Sequence, residues 1–177
     1  MTTEIPTNSP EKREALDDNA RKFITAPLDD SFFDDEEVTS FNLVVDWLET
    51  DEASEKKLAY KTYKDGKKQV LLISKVTQAG GNRRTVKEPL TNERYREMLV
   101  DSMLHLEKSR HEFRVAQNGV EYDIKYDVFA DGKLYMLEVD ASDDHSRAAF
   151  DREDFLSELV EVTGNMDYYG YRICGVL

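Results

Sequence analysis

The stretch from Lys108 to Asp140 reads K-S-R-H-E-F-R-V-A-Q-N-G-V-E-Y-D-I-K-Y-D-V-F-A-D-G-K-L-Y-M-L-E-V-D. The pairs Asn118-Gly119 and Asp131-Gly132 divide it into three runs, and such pairs are strong turn signals between antiparallel strands. Inside the runs, charge alternates with apolar side chains. Lys108 and Arg110 share a face, as do Asp123, Lys125 and Asp127, and likewise Glu138 and Asp140. The intervening Tyr122, Ile124, Tyr126, Val128, Leu137 and Val139 are apolar. Strand side chains alternate with a period of two, so one face of this sheet is charged and the other greasy. Two architectures satisfy the pattern. One is a half-exposed antiparallel sheet with its charges in water. The other is a barrel with a charged interior and an apolar outside partly covered by helices.

Outward from that stretch, strand signals recur. Arg21–Thr25 starts a strand, and 27–37 is an acidic loop holding Phe32 and Phe33. Ser40–Leu48 has the β-branched and aromatic content of a buried strand, and Asp51–Lys57 is a charged connection. Leu58–Tyr63 and Lys68–Val76 flank the hairpin signal Asp65-Gly66, and Arg83–Glu88 follows a turn at 79–82. Apolar spacing predicts a helix over Thr91–Leu106, with Thr91 as N-cap, and a second over Arg147–Val160. Tyr168–Ile173 is a final strand candidate. Seven or eight strands with two helices predict an α+β protein built round a barrel or strongly curved sheet. Residues 1–17 read as an acidic tail or short helix, and 18–177 as a single domain.

At 177 residues the chain is long enough for one domain with a sizeable core, and 40% apolar content suits a folded protein. Its single cysteine, Cys174, excludes an internal disulfide and reads as a packed small residue. No apolar run is long enough for a membrane helix or signal core, so a cytoplasmic protein is expected. The net charge of −13 argues against nucleic acid or an anionic membrane as partner. That charge is unevenly spread: residues 1–60 carry −10, 61–118 carry +6 and 119–177 carry −9. One reading is a solvated surface. The other is a basic surface for a small polyanion, with carboxylates from both ends converging on it. His105, His111 and His145 lack the spacing of a metal site, and Met98, Met103 and Met166 read as core fillers.

Seven short motifs in order carry a resemblance. D-N-A-R-K-F at 18–23 is similar to an E-x-E-x-K strand, with Asp18 and Lys22. Y-K-T-Y with Lys61 and L-I-S-K with Lys75 stand for an R-x-R and T-x-K pair. N-R-R-T-V-K-E-P-L, with Arg84 and Glu88, sits where an R-x-E-x-E strand belongs. E-K-S-R-H-E-F gives K-x-R at Lys108 and Arg110, and D-I-K-Y-D-V-F-A-D-G-K-L places Asp127 in an I-D-x-F-x-G-x-L segment. L-E-V-D gives Glu138 and Asp140, and L-V-E-V-T-G-N-M-D-Y-Y matches the ending. From Asp18 to Ile173 the chain resembles the CYTH superfamily, the triphosphate tunnel metalloenzymes.

The resemblance implies a closed eight-stranded antiparallel barrel, a tunnel with flanking helices, whose small phosphate-rich ligand is a triphosphate compound. Lys22, Lys61, Lys75, Arg84, Lys108 and Arg110 would bind phosphates. Asp18, Glu138 and Asp140 would hold Mg2+ or Mn2+, with Asp127 and Glu138 as catalytic residues and Asp127 positioning water. A triphosphate carries about four negative charges, so inward cations must offset its desolvation. The hard metals prefer carboxylate oxygens. The implied activity is metal-dependent hydrolysis of inorganic or organic triphosphate. Three positions depart from the motifs: Ala20 for a glutamate, Tyr63 for an arginine and Val86 for a carboxylate. They point to an alternative, a catalytically impaired domain that binds a nucleotide or polyphosphate. An interaction protein using its acidic surface is the third reading, and a homodimer is a further expectation.

Overall fold

The computed structural model describes residues 14–17, 19–130, 132–156 and 158–174. Two meanders form its centre. The first comprises β3 (Thr39–Thr50), β4 (Ser54–Tyr63), β5 (Lys68–Thr77) and β6 (Arg83–Pro89). The second comprises β7 (Leu104–Gln117), β8 (Val120–Phe129) and β9 (Leu134–Asp140). They join where β3 pairs antiparallel with β7, in the register Leu43↔Lys108. The turn between β7 and β8 is Asn118-Gly119, with φ of 51° and 77°. Two successive positive φ values make a tight hairpin whose twist matches the strands, and Asn and Gly are the residues that tolerate them.

The order across the sheet is β1-β6-β5-β4-β3-β7-β8-β9-β2-β10, where β1 is Glu14–Asp17, β2 is Arg21–Ile24 and β10 is Val160–Glu161. The expected closed eight-stranded barrel is not what forms: among the described residues the sheet has ten strands and two open edges. The reason lies in the opening strand, expected to run unbroken through Asp18 and Lys22. It is split in two. Glu14–Asp17 pairs with β6 at one edge, and Arg21–Ile24 pairs with β9 towards the other. Asn19 and Ala20 belong to no strand, and Asp18 lies outside the described residues. Among the described residues the edge strands have four and two residues, and no ladder pairs one edge with the other. Alternating charge reports which side of a sheet faces inwards, not whether its edges meet. Residues 14–17 are accordingly a strand rather than a tail or helix, and residues 1–13 lie outside the described residues.

Two apolar clusters hold the curled sheet. On the convex side Phe23, Tyr122, Ile124, Tyr126, Leu137 and Val139, each at most 1% exposed, lie beneath a cover of loops and short helices. Phe33, in a 3-10 turn at Asp30–Asp34, stacks on His111 at 3.8 Å. Phe150 packs on Phe23 and Tyr122 between α2 (Asp144–Ala148) and α3 (Arg152–Phe155). The long helix expected over Arg147–Val160 is thus two short pieces, each started afresh by an aspartate cap, Asp143 and Asp151. On the concave side Leu43, Val45, Trp47, Leu106, Phe129 and Met136 meet Ile173 of α4 (Gly170–Ile173). The last candidate strand, Tyr168–Ile173, is therefore mostly this helical turn. Between the meanders, α1 (Asn92–Leu99) is capped by Thr91 as expected, but ends seven residues before Leu106. Residues 104–106 instead join the ladder to β3, with Leu104 opposite Trp47. None of the three methionines read as core fillers is fully buried, and Met103 is 58% exposed. Among the described residues, no helix is long and apolar enough to cross a membrane.

Candidate functional site

The concave face encloses a cavity of about 910 Å3. The strand pleat decides what reaches it. From β7 the even positions Lys108, Arg110 and Glu112 point in, and from β9 Glu138 and Asp140 do. Asp127 and Lys125 of β8, Lys75 of β5 and Lys22 of β2 join them. Of the residues picked out from sequence, Lys22, Lys75, Lys108, Arg110, Asp127, Glu138 and Asp140 therefore share one cavity. The charged i, i+2 alternation marks its lining.

Two picks fall elsewhere. Arg84 is exposed, and its neighbours Arg83, Thr85 and Lys87 line the cavity. The motif register on β6 is off by one residue, and on a strand that moves every side chain to the other face. Glu88 is accordingly exposed too. Lys61 shares the face of Lys57 on β4 but is not in the cavity wall; its Nζ lies 4.6 Å from the ring centroid of Phe41. Burial pushes its pKa down, and the charges of Lys87, Arg110 and Lys125 add to that. Asp18 lies outside the described residues. Sequence reading also missed Glu55 and Lys57, placed in a charged connection but in fact the start of β4. Their i, i+2 spacing continues through Ala59 and Lys61, a signal that was present.

Ion pairing divides the wall into two clusters. In the first, Asp127, only 1% exposed, accepts from Arg110 Nε and Nη2 at 2.6 Å each and from Lys108 Nζ at 2.6 Å. Arg110 Nη2 also reaches Glu138 Oε1 at 3.4 Å. Burial works against ionisation of Asp127, yet Arg110 and Lys108 hold its pKa below the usual carboxylate range. Glu138 is likewise opposed by burial but held well below that range by Arg110, Lys22 and Lys125. In the second cluster, Glu55 pairs with Lys57 and, at 3.4 Å, with Arg83 Nη2. Burial again opposes ionisation, but the charges of Lys57 and Lys75 bring its pKa to about 2.

Each of these buried carboxylates thus serves two or more cations, and the surplus shows on the lysines. Lys57 is lowered to about 8 by burial and by the charge of Lys75. Lys108 is lowered to about 8 by burial and by Arg110. Burial and neighbouring like charge both disfavour the charged form of these lysines, and only the second calls for more counter-charge. A polyanion would supply it.

The donor chemistry for a metal is thinner. Among the described residues no three His, Cys, Asp or Glu side chains gather to hold an ion. Glu138 and Asp140 face the cavity together, with Asp140 Oδ1 held by Arg147 Nε at 2.8 Å. Mg2+ commonly takes one or two carboxylates and completes its shell with phosphate oxygens and water. The pair fits an ion arriving with a phosphate chain, rather than one caged by protein.

A curled antiparallel sheet around a cavity lined by Lys, Arg, Asp and Glu is a CYTH-like fold. The chain is similar to the crystal structure of a protein described as the inorganic triphosphatase NE1496. The TM-score is 0.56 at 18% identity, over 92% of this chain and 94% of that one. A second crystal structure, described as hypothetical protein NE1496, matches with a TM-score of 0.54 at 16% identity, over 92% of this chain and 97% of that one. At such identities the likeness is one of fold. No family model matches the sequence, and no curated protein does.

Proposed function

We propose that the chain binds the triphosphate group of a small molecule in this cavity and hydrolyses it, with inorganic triphosphate as the simplest substrate. One observation carries the reading: the cavity wall crowds Lys57, Lys75, Arg83, Lys108 and Arg110 around a few shared buried carboxylates, Glu55 and Asp127 among them. The solved neighbour described as an inorganic triphosphatase has the same fold. In hydrolysis, water attacks the terminal phosphorus, the P–O anhydride bond breaks, and orthophosphate and diphosphate leave. The charge of that transition state is spread over phosphoryl oxygens, so catalysis is chiefly positioning and charge neutralisation. The cations of the wall would do both. Glu138 and Asp140 would hold a divalent cation, whose contribution when bound is to polarise a phosphoryl oxygen. Asp127 spends its oxygens on Arg110 and Lys108, so its part is to fix those two cations rather than to take a proton from water.

The same pairing favours a second reading, binding without turnover. Glu55, Asp127 and Glu138 are all held below the usual carboxylate range, away from the near-neutral pKa at which a general base works best. Phosphate release from tripolyphosphate, ATP and thiamine triphosphate, with Mg2+ and with Mn2+, separates the two. Turnover of any of them that is lost in Glu138→Gln supports the hydrolase. Melting raised by tripolyphosphate without release supports the binder. Neither release nor a melting shift at millimolar ligand overturns both.

A further inference from the structure

One aromatic ring stands between the two ends of the open sheet, which the chain also links between Asp17 of β1 and Arg21 of β2. Arg83 begins β6, the second strand from one edge, and Lys22 lies on β2, the second strand from the other. Among the described residues no ladder joins those ends. Tyr169 stands between them, with Lys22 Nζ 5.0 Å and Arg83 Cζ 4.9 Å from its ring centroid. All three side chains line the cavity.

Neighbouring contacts hold the ring in place. A Cβ on Gly170 would lie 2.8 Å from Cζ2 and 3.1 Å from Cη2 of Trp47. Trp47 is 1% exposed and cannot move aside, so α4 seats this closely only with glycine at its start. Upstream, the backbone N–H of Val162 donates to the carbonyl of Lys22 at 2.8 Å, and the N–H of Lys22 donates to the Thr163 hydroxyl at 2.9 Å. The segment 162–173 is therefore tied to β2 at one end and to Trp47 at the other, with Tyr169 between.

We propose that Tyr169 is a positioning residue that gathers Lys22 and Arg83, from the two ends of the sheet, onto one side of the cavity so that a single polyphosphate chain meets both. Two cations drawn together repel, and the negative face of the ring offsets this while no anion is present. The phosphate part of this inference rests on the function proposed above; the gathering of the two strands does not.

The full-length protein tests both parts. Tyr169→Phe keeps the ring and should bind tripolyphosphate within about twofold of wild type in calorimetry. Tyr169→Leu should bind roughly tenfold more weakly, and Gly170→Ala should weaken binding similarly with the tyrosine intact. Lys22→Gln should weaken binding in the wild type but add little in Tyr169→Leu. Without ligand, amide exchange at β2 and β6 should speed up in Tyr169→Leu and stay at the wild-type rate in Tyr169→Phe. Wild-type affinity in Tyr169→Leu, or equal losses in Phe and Leu, overturns the positioning role. Exchange that is unchanged, or faster everywhere alike, overturns the gathering of the strands. If wild type itself binds no tripolyphosphate, the proposed function fails, and the exchange data alone judge Tyr169.

Discussion

Arg110 grips Asp127 with two parallel hydrogen bonds of 2.6 Å, and Lys108 adds a third from the neighbouring inward position of β7. Asp127→Asn leaves both cations in place and removes the buried charge that compensates them. Breaking a buried pair in this way costs about 3–5 kcal/mol, and urea denaturation should show a loss of that size. Tripolyphosphate should stabilise the variant more than it stabilises wild type, because two cations have lost their internal partner. A ligand effect smaller than in wild type would instead place Asp127 in direct service of the ligand.

Alkaline pH should separate binding from folding. Lys57 and Lys108 have pKa values lowered to about 8, against 10.5 when unfolded. Between those limits the unfolded chain holds more protons on these residues, so their contribution to stability rises with pH. Ligand affinity should move the opposite way, since neutral lysines attract phosphate poorly. Calorimetry at pH 7, 8 and 9 should show tripolyphosphate affinity falling while the denaturation midpoint of the free protein does not fall in parallel. Lys57→Met should flatten the affinity profile.

At the acid end Glu55 gives a complementary signature. Its pKa is about 2 in the folded protein against 4.5 unfolded. The stabilisation is complete above the unfolded value and disappears as pH falls from about 4.5 towards 2, an effect on the order of 3 kcal/mol. Glu55→Gln should remove that part of the acid slope in equilibrium unfolding. An identical slope in the variant would show that Glu55 gains nothing from Lys57, Lys75 and Arg83.

The register of β6 makes a test with adjacent residues of one charge. Arg83→Ala should weaken tripolyphosphate binding about tenfold, by removing a charge-assisted contact from the wall. Arg84→Ala, on the exposed face, should change binding and stability by no more than about 0.5 kcal/mol. The reverse result would put the opposite face of β6 in the cavity.

This pair also shows where the sequence is legible. Strands β3 to β9 emerge from alternation and turn residues, because a half-buried strand must repeat with its pleat. Arg83 and Arg84 are chemically alike, so residue type cannot choose between them; the length of the turn at 79–82 does. The helix read through Leu106 fails differently. Leu104 and Leu106 satisfy helical and strand spacing alike, and pairing with β3 settles the matter. The helix read over 147–160 fails as well, since Phe150, Phe155 and Leu159 serve as a cover for the convex face. For the site, Lys108, Arg110, Asp127, Glu138 and Asp140 are visible because their strands alternate cleanly. Glu55 and Lys57 were hidden by the charged run before them, and Tyr169 matters only through partners far away in the chain.

The split opening strand has a consequence for how the cavity is assembled. The two meanders consist largely of neighbours in sequence, which close at low entropic cost and form early. The final side of the cavity is different: Arg21 meets Glu161 across 140 positions. The cavity is therefore expected to be completed last, when the first strands and the closing segment find each other. A chain that has folded its meanders but not this junction would look native by strand content and still lack a finished cavity.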